Sequence, residues 1–255
     1  MKRILSIMLA AITAVTCISV LPASAADINA ETPVASVKSE SDALLESYAE
    51  EVAYLVNQER LANGLSELKM APALNSAAQK RAEEIVEVFD HSRPDGSNCF
   101  TVLKEYGIFC TTAGENIAYG YADPERVMIG WMNSDGHRKN ILSSNYGYVG
   151  VGVVDINGRL YWTQMFIRSS GISDGYLPEK PVKWGDANGD GNVTTADAVA
   201  VLQHIGNRDK YGLSEEGIEK ADVDGIAGLT ANDARVIQQV DAGVYRQSDL
   251  PLTHV

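Results

Sequence analysis

The chain has 255 residues, of which 45% are hydrophobic and 22% are charged, and its formal net charge is −13 at pH 7. This length predicts one or two globular domains, and the apolar fraction is sufficient to build a core. The negative charge argues against nucleic acids and anionic membranes as partners, because both are polyanions.

The first 25 residues have the pattern of a signal peptide. Lys2 and Arg3 precede an apolar run from Ile4 to Val20, and Ala23-Ser24-Ala25 supplies the small residues that a signal peptidase requires. A membrane anchor is the alternative, but the run is at the short limit for a spanning helix. A lipoprotein is a weaker alternative, because the residues before Cys17 match a lipid-attachment site poorly. The sequence therefore predicts a secreted, extracellular protein without stable membrane insertion after cleavage.

A flexible leader is predicted over residues 26–43, and apolar residues then recur at helical spacing. This pattern predicts a first helix that ends near Asn63-Gly64 and a second helix that begins after Pro72. On the second helix, charged residues are expected mostly on the faces away from the core: Lys80, Arg81, Glu83, Glu84 and Glu87. A third helix begins at Asp123-Pro124, with the aspartate as N-cap, and runs through Met132.

Two strands are predicted near the end of this region, over Tyr148–Asp155 and Arg159–Ile167. They are joined through Asn157-Gly158, the strongest short-range signal for a hairpin. Helices together with an antiparallel hairpin predict a layered α+β domain over residues 44–168. A linker that contains Ser, Gly and Pro follows over residues 169–183.

Two cysteines, Cys99 and Cys110, remain once the predicted signal peptide is removed. An even number of cysteines in an oxidising compartment predicts one disulfide, which would close a short loop. Their spacing does not fit a CxxC redox pair or a zinc site.

The chain beyond the linker contains an internal repeat at an offset of 36 residues, in which Asp186 corresponds to Asp222 and Asp197 to Asp233. Each copy is a loop that runs into a helix. The apolar faces of the two helices, which include Leu202 and Ile205 in the first, are too small to bury themselves alone. They are therefore expected to pack on each other.

The first loop has the arrangement of a calcium-binding loop of the EF-hand type. Oxygen-bearing side chains fall at positions 1, 3, 5, 9 and 12, and glycine falls at position 6, where the backbone turns sharply. Position 12 is aspartate, where EF-hands use glutamate. The alternative is an acidic, turn-rich linker. The predicted calcium ligands are Asp186, Asn188, Asp190, Asn192, Thr194 and Asp197.

The second loop is degenerate. Ile226 and Ala227 occupy positions 5 and 6, so one ligand and the turn glycine are missing. Asp222, Asp224 and Asp233 remain as calcium ligands. The sequence therefore predicts a full first site and a weak or empty second site.

These paired EF-hand-like loop–helix repeats, with the motif Gly185-Asp-Ala-Asn-Gly-Asp-Gly-Asn-Val-Thr-Thr-Ala-Asp197, resemble a type I dockerin over residues 184–246, with residues 247–255 as a tail. The resemblance implies a small all-α calcium-binding module that docks on the cohesin domain of a scaffolding protein, as in cellulosomes. It implies cohesin contacts at loop positions 10 and 11, which are Thr195, Ala196, Ala231 and Asn232. The alternative is that these are surface helix residues without a partner.

The upstream domain resembles the bacterial form of the CAP superfamily, also called SCP-like extracellular domains. Six segments carry the resemblance in order: Leu55-Val-Asn-Gln-Glu-Arg60, Asp90-His-Ser-Arg-Pro-Asp-Gly96, Gly114-Glu-Asn-Ile-Ala118, Trp131-Met-Asn-Ser-Asp-Gly-His-Arg138, Val149-Gly-Val-Gly152 and Trp162-Thr-Gln-Met-Phe166. The resemblance implies an α-β-α sandwich with a surface cleft at which His91, Glu115 and His137 converge.

These cleft residues allow three interpretations. They could bind zinc or another divalent metal, they could act as acid and base in a hydrolase, or they could only hydrogen-bond one another to order the fold. The place of a second acid that many relatives carry is taken by Ser134, with Asp135 adjacent, and no GxSxG nucleophile motif is present. Residues outside the cleft are expected to be structural: Trp131 and Trp162 in the core, and His204 exposed on a helix.

Two functions are therefore open. The first is a CAP module that binds a metal or a peptide, lipid or carbohydrate ligand and is carried by its dockerin to an extracellular cellulosome-type complex, in connection with polysaccharide catabolism. The second is a secreted, peptidase-like hydrolase that uses His91, Glu115 and His137.

Overall fold

The computed structural model describes residues 39–252, so the predicted signal peptide and most of the predicted leader lie outside the described residues. The described helices are α1 Glu40–Ala62, α2 Pro72–Glu87, α3 Val102–Glu105, α4 Pro124–Met132, α5 Asp135–Ile141, α6 Thr195–Gly206, α7 Glu215–Ala221 and α8 Ala231–Asp241. The strands are β1 Thr112–Tyr119, β2 Tyr148–Ile156 and β3 Arg159–Arg168. Short 3₁₀ turns occupy Cys99–Thr101 and Gln247–Asp249. Within this part of the chain, no helix is long and apolar enough to cross a membrane.

The helix boundaries follow from capping residues. Ser39 accepts a hydrogen bond from the backbone N–H of Asp42, so α1 begins at Glu40, earlier than its apolar pattern indicated, and residues 40–43 are helical rather than part of a leader. The helix ends before Gly64, whose φ of +72° suits glycine. Asp123 caps α4 and Pro124 is its first residue, as predicted.

A three-stranded antiparallel sheet with the order β1-β3-β2 forms the centre of the first region. The predicted hairpin is confirmed: β2 and β3 turn through Asn157 and Gly158, whose φ values of 55° and 79° are those of a tight hairpin turn. Strand β1 was not predicted, and it pairs with β3 from Thr112↔Arg168 to Tyr119↔Tyr161. Strands β1 and β2 are therefore the two edges of the sheet.

Helices cover both faces of the sheet. Helices α1, α4 and α5 pack on one face, in a core that contains Val52, Trp131 and Trp162. Helices α2 and α3 pack on the other face, against Met165 and Ile167 of β3. The first region is thus a mixed helix-and-sheet structure in three layers, as expected.

Helix α2 lies unusually close to strand β2. A Cβ added to Gly152 would lie 2.2 Å from the carbonyl oxygen of Ala78, and one added to Gly150 would lie 2.6 Å from that of Leu74. Each distance is far inside normal van der Waals contact, so only glycine allows this approach.

The segment predicted to be a linker is fixed to the first region at two places. Tyr176 exchanges backbone hydrogen bonds with Met70, at 2.7 and 2.9 Å. Lys183 Nζ lies 2.8 Å from the carboxylate of Glu125 at the start of α4. Residues 169–183 therefore pack against the helices rather than running free between two regions.

The region after this segment has its own core. Helices α6 and α8 pack through Ala198, Val201, Ala234 and Ile237. The predicted apolar face of α6 is partly wrong, because Leu202 and Ile205 are each 45% exposed. The prediction for His204 is also wrong: it is buried, since its Nδ1 accepts a hydrogen bond from the backbone N–H of Leu213 at 2.9 Å.

Candidate functional site

The predicted cleft lies at the β1 edge of the sheet, and Glu115 of β1 is at its centre. The side chain of Glu115 is 1% exposed, and its Oε2 lies 2.7 Å from Nδ1 of His91, whose side chain is 59% exposed. His137 lies on α5, a helix that follows β1 in the chain. Burial and the nearby charge of His91 lower the pKa of His137, which favours its neutral imidazole. The structure therefore brings the three predicted residues to one place.

A buried arginine that the sequence analysis placed on an outer face supports this cleft. Arg81 of α2 is fully buried, and its Nε donates to Oε1 of Glu115 at 2.8 Å. Its Nη1 donates to Glu84 at 2.8 Å, and its Nη2 to the backbone carbonyl of Asp90 at 2.9 Å. Burial alone would lower the pKa of Arg81, but the hydrogen bonds and charges of both carboxylates raise it overall. Arg81 thus ties α2, β1 and the loop that carries His91 together.

These contacts change the role expected for Glu115. One carboxylate oxygen is engaged by Arg81 and the other by His91. Metal-binding histidines commonly donate their second ring N–H to such a carboxylate, which fixes the tautomer and the ring orientation. Glu115 therefore orients His91 and leaves Nε2 of His91 as the nitrogen available at the surface.

A network of side-chain amides, which the sequence analysis missed, positions His137. Asn116 donates to the backbone carbonyl of His137 at 3.2 Å and to Gln164 Oε1 at 2.9 Å. Asn140 donates to Asn116 Oδ1 at 2.9 Å and to the backbone carbonyl of Glu115 at 3.2 Å. Asn116 and Gln164 lie inside two of the sequence segments that carry the resemblance to the CAP superfamily. Their position in those segments was the signal from which their role could have been predicted.

The other residues considered for the cleft stay outside it. The side chain of Asp135 is 94% exposed and pairs with Arg138 at 2.5 Å, so it does not supply a second acid. Ser134 is the N-cap residue of α5. Trp131 and Trp162 are buried in the core, as predicted.

The predicted disulfide is not formed, because Cys99 and Cys110 are both free thiols. Burial raises the pKa of Cys99 to about 12, and the negative charge of Glu115 adds to this effect. Cys110 instead packs against the core cluster of α2 and α3, and burial raises its pKa as well. The two cysteines lie before and after α3 along the chain.

The two predicted calcium loops share one internal pattern. Oδ1 of Asp197 accepts from the N–H of Asn188 at 3.0 Å, and its Oδ2 accepts from the N–H of Thr194 at 2.9 Å. Oδ1 of Asp233 accepts from the N–H of Asp224 at 3.0 Å, and its Oδ2 accepts from the N–H of Thr230 at 2.7 Å. Each position-12 carboxylate also completes a capping box at the start of the helix that follows.

The second loop is better formed than its sequence indicated. In the first loop, the N–H of Gly191 at position 6 donates to Asp186 at 3.1 Å. In the second loop, the N–H of Gly228 at position 7 donates to Asp222 at 2.8 Å. A glycine one position later therefore replaces the missing turn glycine. Carboxylate oxygens of Asp222, Asp224 and Asp233 all lie within 4.8 Å of one another, and in the described part of the chain no other cluster of His, Cys, Asp or Glu meets this spacing. Three converging carboxylates fit a hard cation such as calcium.

Comparison with known proteins finds a family match over the first region of the chain. Residues 53–166, which include His91, Glu115 and His137, match the model of the cysteine-rich secretory protein family, CAP. This match supports a CAP domain in this part of the chain.

Individual relatives cover parts of the chain. The uncharacterized protein YkwD of Bacillus subtilis (strain 168) is 42% identical over 123 residues, which is 48% of this chain and 47% of that protein. A xylanase/β-glucanase of Ruminococcus flavefaciens is 41% identical over an alignment of 66 residues that covers 22% of this chain and 8% of the enzyme. An extracellular protein of Bacillus anthracis with an SCP domain shares 29% identity and a TM-score of 0.46, over 49% of this chain and 41% of that structure. The chain spans about half the length, or less, of the curated relatives that it matches.

Proposed function

We propose that the protein is a secreted component of a cellulosome-type complex, in which residues 184–246 act as a calcium-dependent dockerin that holds the CAP domain on a cohesin. The observation that carries this proposal is an exposed apolar stripe on α6, directly after the first loop. Val199, Leu202 and Ile205 are 43%, 45% and 45% exposed. Thr195 and Ala196, expected to contact a cohesin, are exposed at the start of the same helix. Exposed apolar patches that are bordered by polar residues are typical of protein interfaces.

The acidic loops support the calcium requirement. In the second loop, Asp222, Asp224 and Asp233 hold carboxylate oxygens within 4.8 Å of one another, where like charges repel. Calcium, when bound, supplies the compensating charge. The residues of the first loop would then hold a second ion through the oxygens of Asp186, Asn188, Asp190 and Asp197, which fixes the start of α6 relative to α8.

The match to a xylanase/β-glucanase supports the same proposal. The aligned stretch covers 22% of this chain and 8% of the enzyme, whose name describes action on plant cell-wall polysaccharides. A similarity this short is consistent with a common attachment module rather than common chemistry.

Cohesin binding tests this proposal. The wild type is expected to bind at least one member of a panel of scaffold cohesins in calcium and to lose binding in excess chelator, as measured by calorimetry. Leu202→Glu is expected to weaken that binding by about 100-fold, because a charge would be buried in the interface. The matched control is Val244→Glu, which changes an apolar residue that is 63% exposed beyond the end of α8. Absence of binding to every cohesin, or equal loss in both variants, would contradict the proposal.

We propose that the cleft binds a divalent metal such as zinc through His91 and His137. The orientation of His91 by Glu115, at 2.7 Å, favours this over a purely structural cluster, because it leaves one ring nitrogen directed to solvent. A neutral His137 is also the form that binds metal. Two protein ligands leave coordination positions for a ligand or substrate.

Zinc titration by calorimetry tests the cleft. The wild type is expected to bind one zinc ion at this cleft, and His91→Ala is expected to lower its affinity by at least about tenfold, within the range for loss of a ligand or its support. Asp135→Ala is the control, because this neighbouring acid faces solvent and should leave the affinity unchanged. Unaltered zinc affinity in His91→Ala would show that the cleft is not the metal site.

A further inference from the structure

The edge strand β2 has a gap in its outer hydrogen bonding. On the side away from β3, the N–H of Val149 donates to the carbonyl of Lys69 at 2.9 Å. Further along, the N–H and C=O of Val153 are both bonded by the side-chain amide of Gln79, each at 3.0 Å. The register with β3 is continuous from Tyr148 to Ile156, and outward-facing residues alternate along an antiparallel strand. Val151, midway between these two residues, therefore also directs its N–H and C=O outward.

These groups of Val151 have no hydrogen-bond partner among residues 39–252. Val151 is 2% exposed, and buried backbone groups are almost always paired. It lines a cavity of about 910 Å³ between α1 and α2, which we call the α1–α2 groove. Oδ1 of Asn75 lines the same groove and is likewise buried without a partner. The α1–α2 groove therefore contains one unpaired donor, the N–H of Val151, and two unpaired acceptors, the C=O of Val151 and Oδ1 of Asn75, none of which an apolar occupant would satisfy.

The side chain of Gln79 indicates what this edge accepts. Its carboxamide donates to the C=O of Val153 and accepts from the N–H of the same residue. Val151 presents the same pair of groups one step earlier on the strand. A peptide bond carries the same donor and acceptor as a carboxamide, and alternate residues of extended chains repeat at about 6.6–6.8 Å in both partners. An extended peptide could thus continue, at Val151, the pairing that Gln79 makes at Val153.

The charges around the α1–α2 groove select among peptides. Its lining includes four acidic residues, Asp42, Glu46, Glu50 and Glu83, and the basic residue Lys80. Lys80 lies 3.4 Å from Glu83 on the same helix, so these two charges balance each other and the lining keeps an excess of acidic residues. Leu45, Ala49 and Met70 supply apolar surface below this acidic rim. The groove is therefore complementary to a peptide that alternates basic and apolar side chains.

We propose that the α1–α2 groove binds an extended basic peptide segment of another protein, which pairs with the backbone of Val151 as a short additional strand. This mode of recognition takes affinity from main-chain hydrogen bonds and specificity from the side chains on either side. The groove shares no lining residue with the cleft of His91, Glu115 and His137. The CAP domain then has a peptide-binding surface that is independent of metal binding and of cohesin docking.

The proposal is tested by nuclear magnetic resonance on the ¹⁵N-labelled protein with an end-blocked Lys-Val-Lys-Val-Lys peptide. The amide proton of Val151 is expected to shift downfield and to exchange more slowly with solvent as it gains an acceptor. The double variant Asp42→Lys/Glu83→Lys is expected to weaken binding by about tenfold, since each rim charge contributes modestly in water. The matched control Glu59→Lys/Glu87→Lys makes the same charge change on α1 and α2 away from the groove, and should remain within about twofold of the wild type.

Several outcomes would overturn the proposal. One is the absence of binding by the basic peptide, and another is equal binding of a Glu-Val-Glu-Val-Glu peptide. Equal binding of a peptide with N-methylated central amides would also overturn it, because such a peptide cannot donate to Val151. If an N-acetylglucosamine oligosaccharide rather than the peptide shifted Val151, the groove would recognise amide-bearing sugars and the proposed ligand class would be wrong.

Discussion

Replacing Arg81 with alanine is expected to destabilise the CAP domain by about 3–5 kcal/mol, the usual cost of breaking a buried ion pair by removing one partner. Arg81 is fully buried and bonds two carboxylates, Glu115 and Glu84. Without the guanidinium, the buried carboxylate of Glu115 would keep only the contacts with His91 and the Cys99 thiol. The N-terminal side of β1, α2 and the His91 loop would lose their common contact at the same time.

Chemical denaturation followed by circular dichroism measures this effect. Lys80→Ala is the matched control on the same helix, because Lys80 is 41% exposed and its pair with Glu83 is worth little. The control should change the free energy of unfolding by less than about 0.5 kcal/mol. A loss below about 1 kcal/mol in Arg81→Ala would mean that the buried carboxylates find other partners or water.

Gly152→Ala is expected to destabilise the fold by about 3 kcal/mol or more, at the upper end of the cost of overpacking. The new methyl group would lie 2.2 Å from the backbone carbonyl oxygen of Ala78 in α2. No rotamer change can relieve this contact, because the obstacle is backbone. Helix α2 would have to move away from β2, and it carries Arg81 and Gln79 with it.

Gly136→Ala is the control for this substitution. Gly136 lies inside α5 with nothing within 4 Å of the added Cβ, so alanine should stabilise the protein by about 0.5–1 kcal/mol through helix propensity. The two variants add the same methyl group with opposite expected signs. Equal thermal midpoints for both would show that α2 adapts to the added methyl group more easily than its contacts indicate.

The parts of the fold that depend on local chemistry could be predicted from the sequence. The hairpin followed from Asn157-Gly158, and the start of α4 followed from Asp123 and Pro124. Strand β1 could not be found in this way, because consecutive polar residues, Glu115 and Asn116, interrupt the alternation that marks a strand. Both can be buried because their hydrogen-bond partners lie far away in the sequence, in α2 and α5.

The same distinction applies to the cleft. His91, Glu115 and His137 were identified from short segments, but their geometry depends on contacts between distant residues. Arg81 lies on the same buried face of α2 as Ala77, Ala78 and Ile85, and this helical spacing was visible in the sequence. Its charge concealed this signal, since a buried arginine is expected only where carboxylates receive it. The exposure of Leu202 and Ile205 was likewise missed, because a helical period alone does not reveal which apolar residues are left for a partner.

The carboxylates of Asp197 and Asp233 have a consequence for how the ion loops can change. Each one closes its loop and caps the helix that follows, with both oxygens already bonded to backbone N–H groups. If the loops bind calcium as proposed, a substitution at either position would alter ion affinity and helix initiation together. Asn188 and Asp190 lie away from the helix start, so substitutions there would change the proposed affinity while α6 stays intact. Each loop thus has one end that is fixed by its role in starting a helix and another end that is free to vary with the ion.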